Sequence, residues 1–201
     1  MNDQTNQKWE KHWTGENQSL TWIGKQMLRS KQKALEEVLK DIKPANAIDA
    51  GCALGYTLSV FKNAGINTRG IDVSQTAVDI CKNKGLNAFQ KKIEDITITD
   101  KYDLVFSVGM LEHFLNFEPY AQKMAAISSR YVCIIQTDHS SFWGKTSIYL
   151  AELLRDSKNV LEYNYRINDF VSIFEKNNFK LIFNRGIFLN IFRLLLFEKV
   201  I

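Results

Sequence analysis

The run Ala47-Ile48-Asp49-Ala50-Gly51-Cys52-Ala53-Leu54-Gly55 sets an acid at the end of an apolar stretch, with a glycine-containing loop directly behind it. Gly51 lacks a Cβ, so the backbone there can turn sharply and approach a ligand. Ala53 is nearly as small, and Gly55 allows the next helix to sit close to the strand. A dinucleotide fingerprint, G-x-G-x-x-G, fits poorly, because its second glycine is Ala53 and its third falls on Tyr56. Gly144-Lys145-Thr146 has the ending of a phosphate-cradling Walker loop, but the upstream glycine position is His139. The pattern that remains is D-x-G-x-x-x-G. Its acid, Asp49, would repel a pyrophosphate and attract a cationic group.

A second acid follows at the spacing of a ribose-binding carboxylate. Asp72, in Gly70-Ile71-Asp72-Val73-Ser74, comes 21 positions after Gly51. A carboxylate there can accept hydrogen bonds from both hydroxyls of a ribose. Asp72 is also placed to cap the helix that follows; the loop and Asp49 together favour the ribose. General-base chemistry falls to few residues, since the chain has 3 His. An imidazole titrates near neutral pH and suits proton removal from a nucleophile. His113 lies in Gly109-Met110-Leu111-Glu112-His113-Phe114 and His139 in Thr137-Asp138-His139-Ser140, each after an apolar strand. These two are the candidate catalytic residues, with hydrogen-bonded packing as the competing role. His12, between Trp9 and Trp13, is a weaker candidate.

Short strands and helices alternate through the part of the chain that must position these groups. Strands are expected at 45–50, 67–71, 86–90, 102–107 and 131–136, and helices at 56–64, 74–84 and 118–128. Ser74 reads as an N-cap and Gly85 as a helix stop. Tyr102–Ser107 is apolar on both faces, as a central parallel strand is. Alternation of this kind implies a parallel sheet with helices on both faces, and in such sheets ligands sit beyond the carboxyl ends of the strands. A helix is expected at 168–177, with Asn168 as N-cap, then strands at 179–187 and 190–200 that close one edge as an antiparallel hairpin. Residues 140–161 read as an irregular or helical insertion.

The fold class expected is therefore α/β: a Rossmann-like, doubly wound, seven-stranded sheet, mostly parallel, with a C-terminal antiparallel hairpin. Residues 1–43 stand apart as an N-terminal helical segment, polar and rich in Trp, with a helix at 24–42 ended by Pro44. That segment is expected to cap the active site carried by residues 44–201. Trp9, Trp13, Trp22 and Phe142-Trp143-Gly144-Lys145 could form an apolar lid, or simply pack.

Composition narrows the function classes. The chain has 201 residues, 45% of them hydrophobic and 24% charged, enough for one ordinary core. A net charge of +4 is too mild to imply nucleic acid. Cys52, Cys81 and Cys133 form no CxxC pair, which argues against a disulfide framework or structural zinc and for a reducing, cytoplasmic setting. No secretory leader is expected, since the first residues are polar. The apolar run 187–197, broken by Asn190 and Arg193, is too short and polar to span a bilayer.

The loop at 48–55, Gly70-Ile71-Asp72, Tyr102-Asp103-Leu104-Val105-Phe106-Ser107 and Leu111-Glu112-His113, in this order, resemble the class I S-adenosylmethionine-dependent methyltransferases. The similarity covers residues 45–137 and is greatest to the small-molecule group, type 11/12-like. The resemblance implies S-adenosyl-L-methionine as methyl donor and S-adenosyl-L-homocysteine as product. It places Asp49 near the methionyl amine, with Gly51, Cys52, Ala53 and Gly55 as the cofactor loop. Asp72 would hold the ribose, Val73 would lie against the adenine, and Ser107 would face the methionyl part through its backbone. The acid often found near the adenine is Lys92 here, so Ile93 and Glu94 are assigned instead.

No metal is expected. Some similar quinone O-methyltransferases have an acid where Gly109 stands, and two remaining ligands make a poor hard-cation site. The implied activity is transfer to an O or N of a small-molecule acceptor by in-line displacement, the acceptor being a sugar, quinone or secondary metabolite. The alternatives are a non-catalytic cofactor-binding member of the fold and a nucleic-acid methyltransferase. The second lacks its usual Pro-Pro-aromatic stretch after the fourth strand, so no nucleic-acid partner is expected. Oligomeric state is not legible.

Overall fold

The computed structural model describes residues 3–14, 21–146 and 163–200. Two compact units divide the chain, 1–96 and 97–201. The first contains helices α1 (Asp3–Thr14), α2 (Trp22–Ile42), α3 (Tyr56–Asn63) and α4 (Gln75–Asn83) and strands β1 (Asn46–Ala50), β2 (Asn67–Asp72) and β3 (Ala88–Gln90). The second contains strands β4 (Tyr102–Val108), β5 (Ser128–Thr137), β6 (Phe179–Ile187) and β7 (Phe192–Lys199), with helices α5 (Glu118–Ile127) and α6 (Ile167–Lys176). The strands make one seven-stranded sheet in the order β3-β2-β1-β4-β5-β7-β6. β1 with β2, β2 with β3 and β4 with β5 are parallel, whereas β7 runs antiparallel to both β5 and β6. The Rossmann-like sheet with its antiparallel C-terminal hairpin is thus as the sequence led us to expect.

In the first unit, α2 begins two residues before the expected start. The Thr21 hydroxyl accepts a hydrogen bond from the Gly24 N–H at 3.1 Å, a polar N-cap that satisfies one orphan amide of the first turn. Ala34, Leu35, Val38 and Leu39 form its buried stripe, and Lys43, at φ 40°, ends it before Pro44. Ser74 caps α4 as expected, accepting from the Ala77 N–H at 3.2 Å. Sequence pattern had not resolved α1, because that helix is polar and carries no apolar stripe. Its one visible signal is aromatic: Trp9 meets His12 and Trp13, three and four positions on, at 5.6 and 6.4 Å between ring centroids.

The second unit is built around β4 and β5, whose central side chains are buried. Leu104, Val105, Phe106, Val132, Cys133 and Ile134 have no accessible surface. β5 is longer at both ends than the apolar run indicated, because Ser128 and Thr137 extend its ladder. The N-cap of α6 is Arg166, not Asn168. The Asp169 carboxylate accepts the Arg166 N–H at 2.7 Å, which starts the helix at Ile167 and leaves Asn168 inside its first turn. Phe174 and Phe197, 4.7 Å apart between ring centroids, seal α6 onto β7. In the β6–β7 turn, Phe188, Leu189 and Asn190 all have left-handed φ, at 47°, 57° and 60°. A Cβ at Gly186 would meet the end of the Asn190 side chain, which would have to turn away. Of the expected insertion, residues 142–146 are helical; the remainder, from 147, lies outside the described residues.

Candidate active site

At the carboxyl end of β1 the chain turns through a loop with three left-handed residues, Gly51 at φ 78°, Ala53 at 46° and Gly55 at 76°. Gly51 and Cys52 donate their N–H groups to the Ile71 carbonyl at 2.9 and 3.0 Å, which ties the loop to β2. Gly55 is needed for space as well as for its φ. A Cβ there would meet Leu86 Cδ1 at 2.5 Å and Cys81 Sγ at 2.8 Å, side chains on α4 and in the turn after it. Ala53 takes the same kind of backbone at a cost of roughly 1 kcal/mol, because its Cβ crowds the neighbouring carbonyl. The Cys52 side chain points into the core with Leu58, Val78 and Cys81. Only its backbone is therefore available to a ligand.

Asp49 is 1% exposed. The Thr57 hydroxyl, in the first turn of α3, donates to Oδ2. Oδ1 has no hydrogen-bond partner. Burial pushes the carboxyl up to about 7; the Thr57 hydrogen bond pulls it down and the nearby Asp72 charge pushes it further up. Thr57 was not singled out in the sequence. The signal for it is positional, since a hydroxyl in the first turn after this loop faces back toward the strand end.

Asp72 ends β2 and is 9% exposed. Its two oxygens accept different backbone N–H groups, Ala53 at 2.9 Å and Ser74 at 3.0 Å. One carboxylate thus joins the loop to the start of α4, so the helix-capping role holds together with any ligand role. Each oxygen retains a lone pair for a hydroxyl donor. Burial raises the Asp72 pKa, the backbone hydrogen bonds oppose this, and the charge of Glu10 adds to the rise. Glu10, from α1, accepts from the Ser74 hydroxyl at 2.7 Å, from the Thr76 N–H at 3.2 Å and from the Thr76 hydroxyl. Those hydrogen bonds lower its pKa. Glu10 escaped the sequence reading because its partners are 64 and 66 residues away. Val73 is half-buried beside Asp72, Ile93 is buried in a 3-10 turn at Ile93–Asp95, and Glu94 is exposed on that turn. A cleft of about 670 Å³ lined by Leu39, Lys43, Pro44, Val60 and Ile66 opens at the amino end of β1, away from these residues.

In the second unit, Ser107 lies fully buried one residue before the end of β4. His113 is half-buried on a 3-10 turn, Leu111–His113, that follows this strand. Chain from after the insertion holds that turn. The Tyr163 N–H donates to the Glu112 carbonyl at 2.8 Å, and the Tyr165 hydroxyl donates to the Phe114 and Leu115 carbonyls at 2.8 and 2.7 Å. His139 is half-buried just beyond β5. Its neighbour Asp138 is 1% exposed and fully engaged. Ser140 donates its N–H at 3.0 Å and its hydroxyl at 2.5 Å to Oδ1, while Arg193 donates Nε at 3.1 Å and Nη2 at 2.8 Å to Oδ2. Burial pushes this carboxyl up, but Ser140 and Arg193 together outweigh burial and hold it below the usual range. The structure thus gathers the loop, Asp49 and Asp72 in the first unit. In the second it brings Ser107, His113 and His139 to the carboxyl ends of β4 and β5. Among the described residues no group of three or more His, Cys, Asp or Glu is placed to hold a metal ion. Among the same residues no helix is long and apolar enough to cross a membrane.

Comparison with known proteins agrees with this geometry. Magnesium protoporphyrin IX methyltransferase from Synechocystis PCC 6803, solved with bound S-adenosylhomocysteine, superposes with a TM-score of 0.74 at 16% identity, over 99% of this chain and 96% of that one. A Thermotoga maritima protein described as a S-adenosylmethionine-dependent methyltransferase, possible histamine N-methyltransferase, gives 0.77 at 14% identity, over 96% and 99%. Both likenesses concern the fold. In sequence, ajmaline N-methyltransferase from Rauvolfia serpentina is 32% identical over 109 residues, 48% of this chain and 37% of that protein. The chain therefore spans well under half the length of that curated relative. A methyltransferase-domain family model matches residues 23–185, which takes in the glycine loop, both acids, β4 and both candidate histidines. With most of its length matched, the chain belongs to the methyltransferase-domain family.

Proposed function

We propose that this protein transfers a methyl group from S-adenosyl-L-methionine to an oxygen or nitrogen of a small-molecule acceptor, by in-line displacement. The observation that carries the reading is Asp49: a buried carboxyl at the end of β1 with one oxygen held by Thr57 and the other without a partner. A ligand ammonium set against Oδ1 supplies that missing partner, and pairing with a cation brings the carboxyl back to its ionised form. Gly51, Ala53 and Gly55 keep the loop backbone open to a ligand, with Cys52 contributing its main chain. Asp72 accepts from ribose hydroxyls on the lone pairs its two backbone donors leave. Val73, Ile93 and Glu94 border the adenine, and Ser107 faces the methionyl part.

S-adenosylmethionine supplies an electrophilic methyl on a sulfonium, so the protein's contribution is chiefly alignment and exclusion of water. His113 and His139 are the residues that take a proton from a hydroxyl nucleophile. The N-terminal segment 1–43 caps the site, with α1 fixed through Glu10 to the first turn of α4. A small acceptor agrees with the porphyrin, histamine and ajmaline for which the relatives above are named. A sugar, a quinone and a secondary metabolite are the acceptor classes to screen first, in a cytoplasmic setting.

Calorimetric titration with S-adenosylmethionine and S-adenosylhomocysteine, with NAD as control, tests the reading. Saturable binding of both sulfur ligands, abolished in Asp72→Ala, is the expected result. Binding of NAD alone, or of none of the three, would overturn it.

A further inference from the structure

One buried polar side chain has no part in the scheme above. Gln136 is the penultimate residue of β5 and is 1% exposed, yet neither Oε1 nor Nε2 has a hydrogen-bond partner. Cys133, Ile134 and Ile135, just before it, are buried and apolar. An amide at this position therefore needs a reason, because a buried unpaired donor and acceptor both oppose folding. Period-two alternation puts Gln136 on the same face of β5 as Ile134 and Val132. On β7, Arg193 lies directly opposite Gln136 and Leu195 directly opposite Ile134.

Arg193 is the obvious partner for the Gln136 carbonyl, but its guanidinium is directed elsewhere. It donates Nε and Nη2 to Asp138, and Nη1 reaches Asn184 at 3.4 Å. The β6–β7 turn fixes this arrangement. Ser141 donates its hydroxyl to the Asn190 carbonyl at 2.6 Å, and the Asp138 N–H bonds the Ile191 carbonyl at 2.8 Å. Gln136 is thus held among fixed neighbours, with a free donor and a free acceptor, at the carboxyl end of a strand where α/β sheets bind their ligands.

We infer that Gln136 is a specificity-determining residue that recognises a neutral hydroxyl group on the methyl acceptor. The inference rests on the methyltransferase reading. Its chemistry follows from the surroundings. A hydroxyl both donates and accepts, so it can answer Oε1 and Nε2. A ligand carboxylate could answer only Nε2 and an ammonium only Oε1, leaving the other end of the amide unpaired. The nearest charges, Asp138 and Arg193, already neutralise one another. A site built this way discriminates against an analogue lacking the hydroxyl, because binding that analogue leaves the amide unpaired.

The test uses the full chain saturated with S-adenosylhomocysteine, saturation being checked first by calorimetry, so that loss of the methyltransferase reading is seen separately. Phenol and toluene are the probes, two molecules of similar size that differ in the hydroxyl. The readout is the Gln136 side-chain amide signal in nitrogen-15 NMR, assigned by its disappearance in Gln136→Met. Phenol should shift that signal and bind about tenfold more tightly than toluene, and the preference should vanish in Gln136→Met while homocysteine-ligand affinity stays unchanged. Equal binding of the two probes, no response to phenol at 50 mM (on the order of a weak fragment's Kd), or an unchanged preference in Gln136→Met would overturn the proposal.

Discussion

Two buried carboxylates close two strand ends, and they are held in opposite ways. Asp138, just past β5, has both oxygens engaged by Ser140 and Arg193, and its pKa is lowered. Asp49, near the end of β1, has one oxygen engaged by a hydroxyl and none by a cation, and its pKa is raised to about 7. Equal burial therefore carries opposite meanings. Where the chain supplies its own cation, the acid is part of the framework. Where it does not, the acid is left for the ligand ammonium of the proposed function to answer.

Removing the cation from the satisfied acid should have the largest effect. Arg193→Met leaves a buried, uncompensated carboxylate and should lower stability by about 3–5 kcal/mol in urea unfolding. The double variant Arg193→Met with Asp138→Leu should recover most of that loss. If it does not, the ion pair is not what holds this strand end. The unsatisfied acid should behave in reverse. Asp49→Asn should weaken S-adenosylmethionine binding roughly 100-fold, about 2.7 kcal/mol, by calorimetry. At pH 8 the same variant should be as stable as the parent, or more so by about 1–2 kcal/mol, because an unpaired buried charge is removed.

The same contrast can be read in pH dependence. A folded-state pKa raised above the unfolded value gives a contribution present below pH 3.8 and lost as pH rises toward about 7; Asp49 is of this kind. A lowered pKa gives the opposite: the Asp138 contribution is present above the ordinary Asp range and lost as pH falls through its folded value. On the proposed function, ligand binding requires ionised Asp49. The Kd for S-adenosylmethionine should therefore rise about tenfold per pH unit below about 7, with no such slope in Asp49→Asn. A flat profile in the parent would remove Asp49 from the ligand's ammonium.

Smaller effects refine the first unit. Glu10→Gln keeps the shape but loses the charge on the Ser74 and Thr76 donors, and should cost about 1 kcal/mol of stability. If α1 caps the site, Trp9 and Trp13 fluorescence should also respond less to S-adenosylhomocysteine in that variant. Ala53→Gly should stabilise the free protein by at most about 1 kcal/mol in thermal unfolding, by relieving the left-handed φ of 46°. A destabilised Ala53→Gly would mean that chain stiffness, not strain, decides that position.

Legibility in the sequence followed the range of each interaction. The loop at 49–55, the Asp72 spacing and the Ser74 cap were readable, because each is a pattern within a few residues of a strand end. The start of α6 was misread, because Asn168 is a better cap by residue type, yet Asp169 closes onto the Arg166 N–H. The helix α1 was missed because it has no apolar stripe and owes its place to Glu10. Gln136 was hidden by its own strand, where it reads as one polar residue ending an apolar run.

The sequence by itself determined the alternating elements, the hairpin that closes one edge of the sheet, the two acids at the loop, and with them the methyltransferase family. Those features come from local backbone preference and apolar periodicity, which act over a few residues. Only the tertiary structure decided which acid is satisfied. Arg193 reaches Asp138 across 55 residues and Glu10 reaches Ser74 across 64, while no polar group of the described chain bonds Asp49 Oδ1. The charge state of a buried group depends on what lies within a few ångströms of it, and that is set by packing of distant segments, not by its neighbours in sequence.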